Sequence, residues 1–417
     1  MPLGFVSPNR AYALTRFFWV ALLLSSNSRL SAQSILYLPS PANLPLFRPS
    51  EDFDWEAYRV LPFQVSLFTA VAYDDNVFVQ HRDRIGSGFT EAALNIGSHL
   101  GSERTKLDAN LGFGMDLYWN RPGRSVDPDI SFNLSLSHQL TPRASVTFTD
   151  YLSLTSQPNL QLGVSVANQV TTYLYTTNSL ALAYAWTPRL STVTSYTANV
   201  IVYENSSVGG SLNRLENIFS QQFRFLALPR IAAVGEYRFE YIDYLSNPSQ
   251  TSYTNLVLGG ADITLTPRLT LNVRAGAGFR NYERTQTGRA DDLAYPFAES
   301  TLAYRYREGS YLEWYNRYSV EESDFSTGYR RTYRMGLKIS HLVGARLRLV
   351  GAAYYSYNEY VNPSFIENVL DLNAGLIYQL TRTFAVTGGY TFERDFSQET
   401  TRDYYRDRLY LGLSFAF

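Results

Sequence analysis

No cysteine occurs anywhere in the 417-residue chain, which leaves no disulfide framework and fits an exported protein that folds without one. There is no excess of charge of either sign: 36 basic residues against 37 acidic ones give a net charge of −1 and no electrostatic case for a nucleic-acid partner. Long apolar runs are missing too. The longest near the N-terminus, Phe17 to Leu24, has eight residues, far short of the roughly 20 that a membrane-crossing helix needs. Histidine is scarce, and the four present (His81, His99, His138 and His341) are scattered. No Ser/His/acid spacing, His-x-x-x-His pair or phosphate-cradling glycine loop accompanies them, so neither catalysis, nor a cofactor, nor a metal centre is expected.

What the chain does have is tyrosine (33), phenylalanine (25) and a mean hydropathy of −0.19. A single soluble core of this length is unusual, but a barrel needs no second core because its sheet closes on itself. A barrel in lipid also hides half of its polar residues in the lumen, so its overall hydropathy resembles that of a soluble protein.

The C-terminal stretch shows the pattern most clearly. Leu409, Leu411, Leu413, Phe415 and Phe417 alternate with Arg408, Tyr410, Gly412, Ser414 and Ala416. Period two means a β-strand with one apolar and one wet face. The aromatic end is similar to the terminal strand of bacterial outer-membrane barrels, which implies that barrel-assembly machinery reads this ladder as its signal. The same alternation runs through Leu107, Ala109, Leu111, Phe113, Met115 and Leu117, through Ile130 to Leu136, and through Leu269 to Phe279. Polar faces carrying mid-strand Arg, Asp and Asn are tolerable only if that side is wet.

A short motif repeats along the chain. Leu140-Thr141-Pro142-Arg143 returns as Trp186-Thr187-Pro188-Arg189, Ala227-Leu228-Pro229-Arg230 and Leu265-Thr266-Pro267-Arg268, then eroded as Leu380-Thr381-Arg382. Proline presets φ at the first corner of a tight turn. With further turns at Gly101 to Arg104, Glu308 to Ser310 and Val343 to Arg346, eight turns lie 35 to 46 residues apart, each interval holding two strands and one longer loop. Eight turns and nine loops predict 18 strands, with 16 as the fallback if one pair is miscounted.

The expected fold is therefore all-β, a transmembrane antiparallel up-and-down barrel over residues 61–417. Before it, residues 1–34 read as a secretory signal peptide, with Arg10 and Arg16 ahead of the apolar run and cleavage after Ala32 or Ser34. Residues 35–60, rich in proline and then acidic, read as a periplasmic leader too short to fold into a plug. Bunched tyrosines such as Tyr354, Tyr355, Tyr357 and Tyr360, or Tyr237, Tyr241 and Tyr244, suit the level where hydrocarbon gives way to headgroups.

Tyr73-Asp74-Asp75-Asn76-Val77-Phe78, at the end of the first strand, has two readings. Its oxygens suit a divalent cation, but an Asx turn ending the strand is the preferred one. A first strand ending this way, followed by aromatic-rich alternating strands to a terminal Phe, resembles the putative beta-barrel porin 2 family over roughly residues 61 to 417. The resemblance implies the outer membrane of Gram-negative bacteria and supplies no catalytic residues.

The resulting expectation is an outer-membrane channel for passive diffusion of small hydrophilic solutes, touching outer-membrane lipid. The alternative is a polysaccharide-export or secretion-associated barrel. Parity with the apolar ladders points Arg274, Arg280, Arg334, Lys338, Arg346, Arg348, Arg406 and Arg408 inward, with Glu313, Asp371 and Glu393 among the fewer inward acids. A basic wall in an aqueous path would favour anions weakly at low salt. Pairing of these arginines with carboxylates across neighbouring strands is the competing expectation.

Overall fold

The computed structural model of the chain describes residues 63–157, 170–246, 250–282, 292–325 and 328–417. The signal peptide and the proline-rich leader of the sequence reading lie outside these residues. The strands are β1(Phe63–Asp74), β2(Ser87–Gly101), β3(Thr105–Tyr118), β4(Val126–Thr141), β5(Ala144–Thr155), β6(Tyr173–Ala185), β7(Leu190–Tyr203), β8(Arg214–Leu228) and β9(Ile231–Tyr244). They continue as β10(Ser252–Thr266), β11(Leu269–Tyr282), β12(Leu293–Arg307), β13(Ser310–Glu322), β14(Tyr329–Val343), β15(Leu347–Val361), β16(Phe365–Gln379), β17(Phe384–Ser397) and β18(Tyr404–Ala416). Among the described residues one helix, α1(Ser206–Leu212), sits between β7 and β8.

Every strand pairs antiparallel with its sequence neighbours, and β1 pairs with β18, so the 18-stranded sheet closes into a barrel with no free edge. The strands are 12 to 16 residues long. Tilted as barrel strands must be, 12 residues climb about 30 Å, the thickness of a bilayer core.

All eight turns fall where the sequence reading places them, five of them at the repeated motif, and the structure shows what the repeat does. In three copies proline begins the turn and the preceding threonine closes it: Thr187 Oγ1 accepts from the Arg189 and Leu190 amides at 3.2 and 2.9 Å. Thr141 and Thr266 each accept from the amide of the arginine two residues on, at 3.2 Å. The arginine carbonyl then ties the turn to the next hairpin. Arg143, Arg189, Arg230 and Arg268 accept from Ala185, Leu226, Thr264 and Arg305, each at 2.8 Å. The repeat thus sets the turn and also staggers neighbouring hairpins.

The faces are as the alternation requires. Leu409 and Leu411 are 62% and 65% exposed on the outer surface, while Gly412, Ser414 and Ala416 face inward and are buried. At the seam, a Cβ on Gly412 would come within 2.7 Å of the Phe68 ring, so glycine is what lets the inward Phe68 lie across β18.

The tyrosine bunches divide by parity. Tyr237 and Tyr357 face outward, whereas Tyr244, Tyr354 and Tyr360 are buried inside the barrel, which corrects their assignment to an interfacial girdle. The outer girdle is held by a repeated bond: Tyr196, Tyr237 and Tyr355 donate to Asn217, Asn255 and Asn368 on the adjacent strand at 2.6, 2.6 and 2.7 Å. Each hydroxyl thereby reaches a polar partner at the lipid boundary.

Candidate functional site

The interior of the barrel is where polar chemistry collects. On the most charged strands the charge is concentrated at inward positions. On β9, Glu236, Arg238 and Glu240 alternate with Tyr237, Phe239 and Tyr241. Charges so enclosed are costly unless paired or hydrogen-bonded, and most of them are paired, in two main groups.

The first group lies beside the closing seam. Asp74 is fully buried, and its carboxylate accepts from the Arg406 Nε at 3.0 Å and from Arg406 Nη2. Arg408 approaches it at 3.6 Å and Asp116 at 3.5 Å. Arg406 also faces Glu393 at 3.6 Å and donates to Gln157, beyond the end of β5, at 2.9 Å. The oxygens of the Asp-Asp-Asn stretch are occupied in the same way. Asp74 Oδ1 accepts from the Asn76 amide at 2.9 Å, Asp75 accepts from Arg84 at 2.8 Å and from the Asp407 amide at 2.7 Å, and Asn76 Oδ1 accepts from the Gln80 amide at 2.9 Å. The stretch is an Asx turn built into the seam, and among the described residues no group of three or more metal-capable side chains gathers.

The second group surrounds a cavity of about 160 Å³ inside the barrel, where the β6 to β9 wall faces β11, β13 and β14. Arg214 meets Glu216 at 2.8 Å and Arg280 meets Glu322 at 2.8 Å. Arg330 and Arg334 share Glu321. Arg238 bridges Glu236 at 2.9 Å and Glu299 at 3.0 Å, the latter three strands away. Towards the turn end, Arg274 meets Asp262 at 2.8 Å and Glu236 at 3.6 Å.

The candidate pore residues are therefore not one strip. Arg406, Arg408 and Glu393 belong to the seam group, Arg280 and Arg334 to the cavity, and Arg274 to a layer beside it. Glu313 and Lys338 are register partners across β13 and β14, and Asp371 and Glu393 across β16 and β17. Asp371 accepts from Asn373 at 2.7 Å. Arg348 lies near the turn end of β15, half-buried. Arg346 departs from the parity reading: β15 begins at Leu347, so this arginine sits on the exposed turn. The arginines Arg214, Arg224 and Arg238 and the acids Glu216, Glu236, Glu299, Glu321 and Glu322 also lie inside. Running the same alternation through β8 and β9 would have found the first of them.

Two features narrow the loop end. Helix α1 turns into the mouth, where Val208 and Leu212 pack on the inward Tyr173, Tyr175, Ile201 and Tyr203. Asn205 caps it by accepting from the Ser207 amide at 3.0 Å, and Asn213 pins its end by accepting from the Tyr203 amide at 2.8 Å. Opposite, Arg402 holds the mouth with Asp324 at 2.6 Å, Glu367 at 2.7 Å and the Tyr360 hydroxyl at 3.1 Å. At the rim, hydrogen bonds from Thr172 and Arg124 keep the Glu204 carboxyl below its ordinary value.

A closed 18-stranded barrel with an apolar outer belt and a charged, partly open interior is a porin-type barrel of the outer membrane. The chain belongs to the family described as Putative beta-barrel porin 2, whose sequence profile matches residues 63–417. No curated protein matches it. Similar solved structures include OccAB4 of Acinetobacter baumannii, at 10% identity and a TM-score of 0.42 over 86% of this chain and 99% of that one. The siderophore receptor PirA of the same organism is similar at 7% identity and a TM-score of 0.43, over 86% of this chain and 81% of that one. OpdK of Pseudomonas aeruginosa, solved with vanillate, is similar at 10% identity and 0.41, over 85% and 99%.

Proposed function

We propose that the chain is a non-enzymatic, water-filled channel for passive diffusion of small hydrophilic solutes across the outer membrane, with its short turns in the periplasm and its loops outside. The observation that carries this is the cavity inside the barrel, lined by six arginines and four glutamates on facing walls. Mid-barrel, Thr149 lies exposed on the inner face, so water reaches the wall there. Because most of the arginines are ion-paired, their field is short-ranged, and the arginine excess supports only a weak anion preference. That preference should vanish near 1 M salt, where the Debye length is about 3 Å. The outward ladder Leu409 to Phe417 is proposed as the assembly signal. Single-channel recording of the refolded barrel tests the reading. Steady conductance with a reversal potential tilted modestly towards anions in dilute salt supports it, and absence of conductance sinks it.

Polysaccharide export would need ring faces open along the lumen for sugars to slide on. The inward Tyr203, Tyr244, Tyr315, Tyr354 and Tyr360 are buried instead. That favours small solutes, and block of the current by long oligosaccharides at low concentration would reverse the choice.

A further inference from the structure

The pairing network of the inner cavity leaves out two charged groups. Arg317 on β13 lines the cavity with no ion pair among the described residues, and its Nε has no hydrogen-bond partner there. Its guanidinium rests 5.4 Å from the centroid of the Phe297 ring, whose other neighbour is Arg238 at the same distance. Glu240 on β9 lines the same cavity and is also left without an ion pair among the described residues. Arg238, Arg280 and Arg317 all lie within its electrostatic reach, but the first two are engaged by other carboxylates. The remaining lining is in part apolar, from Ile218, Ile242 and Val320.

An enclosed charge without a direct ion pair is costly. Two of opposite sign that share a cavity without forming a direct ion pair are satisfied together by a solute carrying both complements. A carboxylate suits the planar donor fork of arginine, and an ammonium suits a carboxylate.

We propose that this cavity binds a small zwitterion of amino-acid size, its carboxylate on Arg317, its ammonium on Glu240 and its apolar side chain against Ile218, Ile242 and Val320. The proposal deepens the channel reading, and rests on it for the solute's passage though not for its binding.

Calorimetry on the refolded, detergent-solubilised barrel tests it with three probes: L-leucine, N-acetyl-leucine, which lacks the ammonium, and leucine amide, which lacks the carboxylate. Leucine should bind saturably, and each derivative about tenfold more weakly or worse, the loss of one charged hydrogen-bonded contact. Glu240→Gln should weaken leucine and leave N-acetyl-leucine unchanged, and Arg317→Gln should weaken leucine and leave leucine amide unchanged. If either variant fails to fold, judged by heat-modifiable migration on gels, the three probes on the unaltered barrel decide alone. No saturable leucine binding, or N-acetyl-leucine binding as tightly as leucine, overturns the site. A barrel that conducts but does not bind leucine keeps the channel reading and loses the site. One that binds leucine but does not conduct loses the channel reading and keeps the site.

Discussion

Arg406 is 1% exposed and Asp74 fully buried, and each depends on the other for its charge to be tolerable. Removing one partner of a buried pair leaves the other uncompensated, at a cost of about 3–5 kcal/mol. Asp74→Asn should therefore lower the unfolding free energy of the refolded barrel, measured by urea titration, by an amount in that range. Adding Arg406→Met to that variant should cost little more, because the charge that needed Asp74 is gone. A small effect of the single change, or simple additivity, would show that Gln157 and Glu393 suffice for Arg406. The position of Asp74 at the end of β1 was readable from the sequence, and so was the turn it begins. Its pairing was not, because Arg406 is 332 residues away along the chain and meets Asp74 only when β18 closes on β1.

The strands obey their period closely enough for single substitutions to discriminate the faces. Leu411 faces lipid and Thr149 faces the open lumen. Leu411→Arg should cost about 2–4 kcal/mol and abolish heat-modifiable migration, whereas Thr149→Arg should leave it intact. Equal behaviour of the two variants would invalidate the face assignment. Helix α1 offers a test of a different kind. Its glycines, Gly209 and Gly210, make it a weak helix by propensity, so packing and caps must hold it in the mouth. Replacing both Val208 and Leu212 by Asp should unseat it and raise single-channel conductance without loss of the folded barrel. Unchanged conductance would place the constriction elsewhere.

For the molecule as a whole, the orientation is directly measurable. Asp83 lies exposed in the β1 to β2 loop and Arg268 exposed in a short turn. Of the variants Asp83→Cys and Arg268→Cys in intact cells, only the first should react with an impermeant maleimide, and the opposite result would invert the barrel. The sequence by itself determined the all-β class, the count of 18 strands, the eight turns and which face of each strand meets lipid, because these follow from alternation and turn chemistry within a dozen neighbouring residues. Only the tertiary structure decided how the interior charges are spent. Arg238 on β9 finds Glu299 on β12, Arg402 finds Asp324 in another loop, and α1 folds into the mouth rather than away from it. Parity says that a side chain points inward, but which counter-charge it meets depends on barrel curvature and on strands far apart in sequence, and this is why Arg317 and Glu240 remain open while their neighbours are paired.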